Sequence, residues 1–405
     1  MEIHYPLILD GSTGTQLQKR GFEGGMSSES WSMLHPEVVK AFQKEYIEAG
    51  SQVLYSPTFG ANRVKMEENR VYNQVFEYNK TLASISKEVA GDHAYVAGDL
   101  SPTGKFIAPL GDVTFEELVD IYKEQVQGLE AAGVDMYIIE TMMTVPEARA
   151  AVLAVKNLTD KPVFVSFSVD ENGNTLNGSD IEAILVIMQG MGVDAFGLNC
   201  SVGPAEMLER IQRLTDYAQI PLIAKANAGI PEVVDGKAVY RTPPEEFARC
   251  VPGLAKRGVQ IFGGCCGTMA EHVKAIADAA REQEMIPPRP KYLDKLQLAT
   301  EKKVFLLSPD TPTGKAVPCD ADLLDRIEEA DESDDAFFTV EIKSADEIDD
   351  FIDAQYAITK PLCIRCNDRH ALELALRRYQ GRAAYDGDLP EDVLDRLGRK
   401  YGLVY

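Results

Sequence analysis

The chain has 405 residues, too many for one ordinary domain and few for three. Its 64 acidic and 41 basic residues give a formal net charge of −23, and no basic stripe interrupts the acidity, which excludes phosphate-backbone attraction as its main business. With 45% hydrophobic and 26% charged residues it has the composition of a folded chain, not a disordered one.

The start, MEIHYPLILDG, has neither a basic leader nor a long apolar run. No segment approaches the roughly 20 apolar residues of a membrane helix, so a cytoplasmic chain is expected. Seven cysteines, an odd number in a long chain, do not read as a disulfide framework. They are expected as free thiols, some of them metal-binding or reactive.

Through about residue 285 the sequence alternates two patterns. Short apolar runs bounded by turn residues read as buried parallel strands at 6–9, 52–56, 95–99, 135–140, 162–167, 195–199, 221–225 and 260–263. A helical period follows each, at 36–49, 71–89, 115–132, 145–158, 181–191, 204–217, 244–256 and 270–283. Thr114 with Glu117 is a capping-box pattern. Pro146 and Pro204 suit first-turn positions, and Gly50, Gly133, Gly192 and Gly258 sit where helices stop. Eight strand–helix units predict a closed (β/α)8 TIM barrel over residues 1–286. A doubly wound sheet is the alternative. It would want a G-x-G-x-x-G turn after the first strand, and Asp10-Gly11-Ser12-Thr13-Gly14-Thr15 does not match that pattern.

Pro287-Pro288-Arg289-Pro290 opens a segment read as a stiff linker, 287–300. Beyond it, 301–405 reads as a smaller acidic α/β domain. Its strands are expected at 304–307, 337–342, 361–364 and 382–385, and its helices at 345–355, 371–379 and 391–400. From Asp320 to Asp353 there are 15 acidic residues and 2 basic ones, a local charge of −13 that reads as a solvated face.

In a barrel, catalytic residues collect where strands end. Cys200 ends the sixth strand, and Cys265 and Cys266 end the eighth. Three thiols on one rim make a ligand set for a borderline-soft metal, and three protein ligands with one open position is the catalytic zinc arrangement. Neighbouring cysteines reach one ion only if the backbone bends, so Gly263, Gly264 and Gly267 are expected in unusual dihedrals.

The segments Asp10–Thr15, Pro57-Thr58-Phe59-Gly60-Ala61-Asn62, Glu140-Thr141, Asn199-Cys200-Ser201 and Gly263-Gly264-Cys265-Cys266-Gly267-Thr268 resemble the homocysteine S-methyltransferase family. That family includes the homocysteine-binding module of cobalamin-dependent methionine synthase. The resemblance implies a zinc barrel that methylates homocysteine to methionine, with Cys200, Cys265 and Cys266 as zinc ligands and catalytic centre. It places Asp10 and Glu140 against the substrate ammonium. The Gly11–Thr15 turn offers backbone donors for the substrate carboxylate, and Asn199 and Asn227 sit at strand ends able to accept or donate. The donor is expected to be methylcobalamin on a separate corrinoid protein, or a small molecule such as S-methylmethionine. Another thiol acceptor, or a non-catalytic metal-bearing subunit, stays open as an alternative. No nucleic-acid or membrane partner is expected.

Residues 360–405 are similar to part of the pterin-binding barrel family, through Ala371-Leu372-Glu373-Leu374-Ala375-Leu376 and Tyr379-Gln380-Gly381-Arg382. This implies a truncated pterin-binding-like domain or a folate-binding partner. The strand end at Arg365-Cys366 lacks that family's aspartate, Asp386 stands where an asparagine is usual, and too few strands remain for a barrel. Asp368-Arg369-His370 has the D-x-H spacing of a cobalamin motif, and Cys363 and Cys366 have CxxC spacing without a second pair. The expectation is a small α/β domain that docks a partner or packs on the barrel.

Overall fold

The computed structural model describes residues 3–108, 110–234 and 237–405. Eight parallel strands form one sheet: Leu7–Ile8, Val53–Tyr55, Tyr95–Leu100, Met136–Met142, Val163–Phe167, Ala195–Asn199, Leu222–Ala226 and Val259–Gly264. From the second to the eighth, each pairs with its chain neighbour, and the eighth pairs with the first. A parallel bridge from Leu9 to Val53, with Gln52 N donating to Ile8 O at 2.7 Å, closes the barrel. This is the (β/α)8 fold expected from the unit count.

The strands read as continuous apolar runs because both faces are covered. Every residue of the fifth to eighth strands is buried. Leu9, Val53, Met136, Phe164, Ile223 and Ile261 belong to the cluster that fills the barrel, so it is a packed core and not a pore. The capping box at Thr114 and Glu117 forms, and Gly133 takes the left-handed conformation, φ 75°, that ends the same helix.

Two helices on the way to the second strand are additions to the expected set, Thr13–Lys19 and Ser28–Leu34. Each has seven residues, too few turns to display a period. Their signal is the cap: Ser12 and Ser27 accept from the backbone N–H of Thr15 and Ser30. A further addition is the antiparallel pair Glu232–Val234 and Lys237–Val239, after the seventh strand.

The compact units do not divide at one point in the chain. The first comprises 1–176, 194–215 and 219–289; the second comprises 177–193, 216–218 and 290–405. The second contains a four-stranded parallel sheet in chain order, Ala316–Pro318, Phe338–Glu341, Leu362–Arg365 and Ala384–Tyr385. It also contains a hairpin, Leu296–Ala299 with Val304–Leu307, whose first strand falls inside the segment read as a linker. The helix Ile181–Gly190 belongs to this unit and contacts Leu296–Ala299 and Glu391–Tyr401. The acidic run supplies the helix Leu323–Asp331, which buries Leu323 and Ile327 and turns its acids to water. No helix among the described residues is long and apolar enough to cross a membrane.

Candidate metal and thiol site

The sixth and eighth strands bring Cys200, Cys265 and Cys266 together. Their sulfurs lie within 4.8 Å of one another, and Cys200 Sγ is 3.9 Å from Cys266 Sγ. Zinc bound to thiolates at about 2.3 Å in a tetrahedron sets its sulfurs roughly 3.8 Å apart, so the trio fits that ion. No other group of three ligating residues occurs among the described residues.

The backbone bends as the chemistry requires, but not where the glycines alone suggest. Gly267 has φ 80°, and so do two non-glycines in kind: Cys200 and Ser201 are both at φ 62°. Gly263 and Gly264 instead lie in the regular eighth strand. There the need is for space. A Cβ on Gly263 would come 2.9 Å from Leu9 Cβ, and one on Gly264 would come 2.6 Å from Thr268 Cβ. Beyond the strand the chain turns, Thr268 N donating to Cys265 O at 3.1 Å, and this puts both cysteines on one spot.

Hydrogen bonds from Cys265 and Cys266 pull the Cys200 thiol down to about 3, and the protons retained on the other two are held more tightly.

Asn199 serves this centre by holding it. Its Oδ1 accepts from Thr141 N and Ser166 Oγ, both at 2.8 Å, and its Nδ2 donates to Thr141 Oγ1 at 2.7 Å and reaches Cys265 Sγ at 3.7 Å. Thr141 is itself strained at φ 59°, beside a register shift in the fourth strand. Thr15 is likewise occupied, its Oγ1 accepting from Gly267 N at 3.0 Å. Asn227 is buried with Oδ1 unpartnered.

The cysteines open onto a cavity of roughly 300 Å³ that Gly11, Thr13, Gly14, Glu29, Asp99, Glu140 and Lys225 also line. Glu140 is buried in the C-terminal half of the fourth strand. Lys225 Nζ approaches its Oε2 at 3.2 Å and Asp10 Oδ1 at 3.8 Å, and lies 3.7 Å from the centre of the Tyr55 ring. Asp10 is fully buried, and its Oδ2 accepts from Tyr55 N at 2.8 Å. Burial, partly offset by Lys225, pushes Asp10 up to about 7 and raises Glu140 and Asp99 as well. Oδ1 of both Asp10 and Asp99 lacks a hydrogen-bond partner.

Sequence reasoning reached Asp10 and Glu140 and missed Asp99, Lys225 and Glu29. The first two of these had a signal: Asp99 and Lys225 lie at the ends of the third and seventh strands, so the strand-end rule covers them too. Glu29 sits on a short helix with none. Trp31 packs against His35, with ring centres 4.2 Å apart and the planes tilted by 38°.

Residues 7–280 match the homocysteine S-methyltransferase family, and the chain belongs to it. It is 33% identical over 304 residues to the methionine synthase of Mycobacterium leprae, covering 70% of this chain and 25% of that protein. The methionine synthase of Mycobacterium tuberculosis is 32% identical over 293 residues, covering 67% and 24%. The chain thus spans about a quarter of the length of these relatives. In fold it is similar to the homocysteine methyltransferase MmuM from Escherichia coli. The oxidized form gives a TM-score of 0.56 at 20% identity, covering 67% of this chain and 95% of that one, and the metallated form gives 0.57 at 19%, covering 67% and 96%.

Proposed function

We propose that this chain transfers a methyl group to the thiol of homocysteine, giving methionine, with zinc held by Cys200, Cys265 and Cys266. The observation that carries the reading is one cavity lined by three clustered thiols and by buried carboxylates in excess of their single lysine. Family membership and a metallated form of the Escherichia coli enzyme support it.

Zinc in this position would deprotonate and orient a thiol at its open coordination place. Asn199 fixes Cys265, so the ligands hold their geometry as a substrate enters. Glu140 and Asp99 face the cavity as partners for the substrate ammonium, with Asp10 behind them. Gly11, Thr13 and Gly14 line the same space, and their backbone N–H groups are assigned the substrate carboxylate. A histidine base is not needed: His272, the buried histidine of this region, contacts Met269 N and Thr242 O. The donor is assigned to a methyl-corrinoid protein carrying methylcobalamin, in line with the methionine synthase relatives, with S-methylmethionine as the small-molecule alternative.

The test is a methylation screen of homocysteine against these donors, with metal analysis of the same protein. One zinc per chain and methionine formed from one donor support the reading. A metal-free protein, or no methionine with any donor, overturns it.

A further inference from the structure

The cavity assigned to an ammonium already contains one, and we propose that Lys225 is a specificity-determining residue whose charge tunes the pocket to amino-acid thiols. This rests on the homocysteine reading above. Among the described residues that line the cavity, Lys225 is the one basic side chain, against Glu29, Asp99 and Glu140. Asp10 adds a fourth buried acid within 3.8 Å of Nζ. Lys225 is held in place deliberately. Its strand is otherwise apolar, its side chain is 4% exposed, and a Cβ on Gly263 would come 3.4 Å from its Cγ.

Carboxylates buried without a counter-charge neutralise themselves by taking up protons, and a neutral acid holds an ammonium poorly. Lys225 supplies that counter-charge from outside the substrate. It reaches one oxygen of Glu140 and one of Asp10 and rests against the Tyr55 ring. Even so it leaves Asp99 Oδ1 and Asp10 Oδ1 without hydrogen bonds, and acids outnumber it. The carboxyl groups left over, Asp99 and Glu29 among them, line the cavity where a further ammonium would sit. A thiol without an amino group gains nothing from this arrangement, so Lys225 acts on the choice between the two classes and not on thiol binding as such.

The test uses the full chain loaded with cobalt, whose thiolate absorption band reports binding independently of turnover. Homocysteine is compared with 4-mercaptobutyrate, the same skeleton without the amino group. The wild type is expected to prefer homocysteine. Lys225→Met should lose roughly ten-fold or more of that preference with metal still bound, while Lys225→Arg keeps most of it. An undiminished or increased preference in Lys225→Met overturns the proposal, the increase showing a lysine that competes with substrate. Equal weakening of both thiols also overturns it, as a merely structural role. Should Lys225→Met fail to hold metal, Lys225→Gln is read by the same criteria. A wild type that binds neither thiol contradicts the function itself, a different failure from that of the lysine.

Discussion

The barrel unit and the C-terminal unit are built from the same parts, parallel strands followed by helices, yet they treat polar groups in opposite ways. At the barrel rim Asp10, Asp99 and Asn227 are buried with an oxygen that has no hydrogen bond, and Thr141, Cys200 and Ser201 hold positive φ without being glycine. In the C-terminal unit the ion pairs Arg365–Asp386, Arg378–Asp349 and Lys400–Glu373 reach water, and the described positive-φ residues are all glycines. Gln380 Oε1 is its one unpartnered buried side-chain atom among those described. Strained backbone and unmatched polar atoms each cost on the order of 1–3 kcal/mol, and a fold keeps a concentration of them where they do work. The contrast concentrates unmatched polar atoms and strained backbone at the barrel rim, where the thiols and carboxylates converge.

The largest expected effect breaks that contrast at the thiols. Both units have free buried or half-buried cysteines, but only one trio converges. Cys200→Ala, Cys265→Ala and Cys266→Ala should each abolish methyl transfer and lose most of the bound zinc. Cys363→Ala and Cys366→Ala should keep a full metal equivalent, because Cys363 sits in an apolar cluster and Cys366 Sγ donates to Asp368 O. Metal analysis of the five variants checks this. Full zinc in both Cys200→Ala and Cys265→Ala rejects the site. Next in size is Glu140→Gln. It removes a buried charge next to Lys225 and should raise the KM for homocysteine by on the order of 30-fold or more with a smaller change in kcat. An unchanged KM removes Glu140 from substrate binding.

The barrel was legible because its strands are buried on both faces and its cysteines, aspartates and glutamates stand at strand ends. What stayed hidden has physical causes. The short helices Thr13–Lys19 and Ser28–Leu34 show no period, so Glu29 had no context. Lys225 looked like the edge of an apolar run, and only the folded strand turns it toward Glu140 and Asp10. The unit boundary was misleading for another reason. Residues 181–191 were read as one more barrel helix, yet Ile181, Ala183, Ile184, Leu185, Val186, Ile187 and Met188 are all buried. A helix apolar all round is covered all round, which was available in the sequence as a warning against a clean cut at 286. In the same way Asp368, read for its D-x-H spacing, is the N-cap of Arg369–Arg378, accepting from Ala371 N at 2.7 Å.

A smaller effect sharpens the electrostatic side of the contrast. Asp10, held near 7 by burial, takes up a proton as pH falls through that value and withdraws one negative charge from the amine pocket. The apparent affinity for homocysteine should therefore weaken several-fold between about pH 8 and 6. The same titration with 4-mercaptobutyrate isolates this from thiol ionisation, which both ligands share. A parallel decline for the two ligands rules out Asp10 as the titrating group.

The smallest effect belongs to the other unit. Asp386 is paired with Arg365, Nε to Oδ2 at 3.0 Å, and also accepts from Thr313 Oγ1 at 3.1 Å. The guanidinium holds its carboxyl below the usual range. Its side chain is 35% exposed, so water screens the pair, and replacing the carboxylate by its neutral amide should cost only about 0–1 kcal/mol. Asp386→Asn is thus expected to lower Tm slightly and to leave zinc content, homocysteine affinity and methyl transfer from a small donor untouched. It also installs the asparagine that the sequence resemblance to pterin-binding barrels would call for there. If the second unit is only a scaffold, a folate should bind the variant no better than the parent. Measurable folate binding by Asp386→Asn would instead give this unit a site of its own and erase the division between the two.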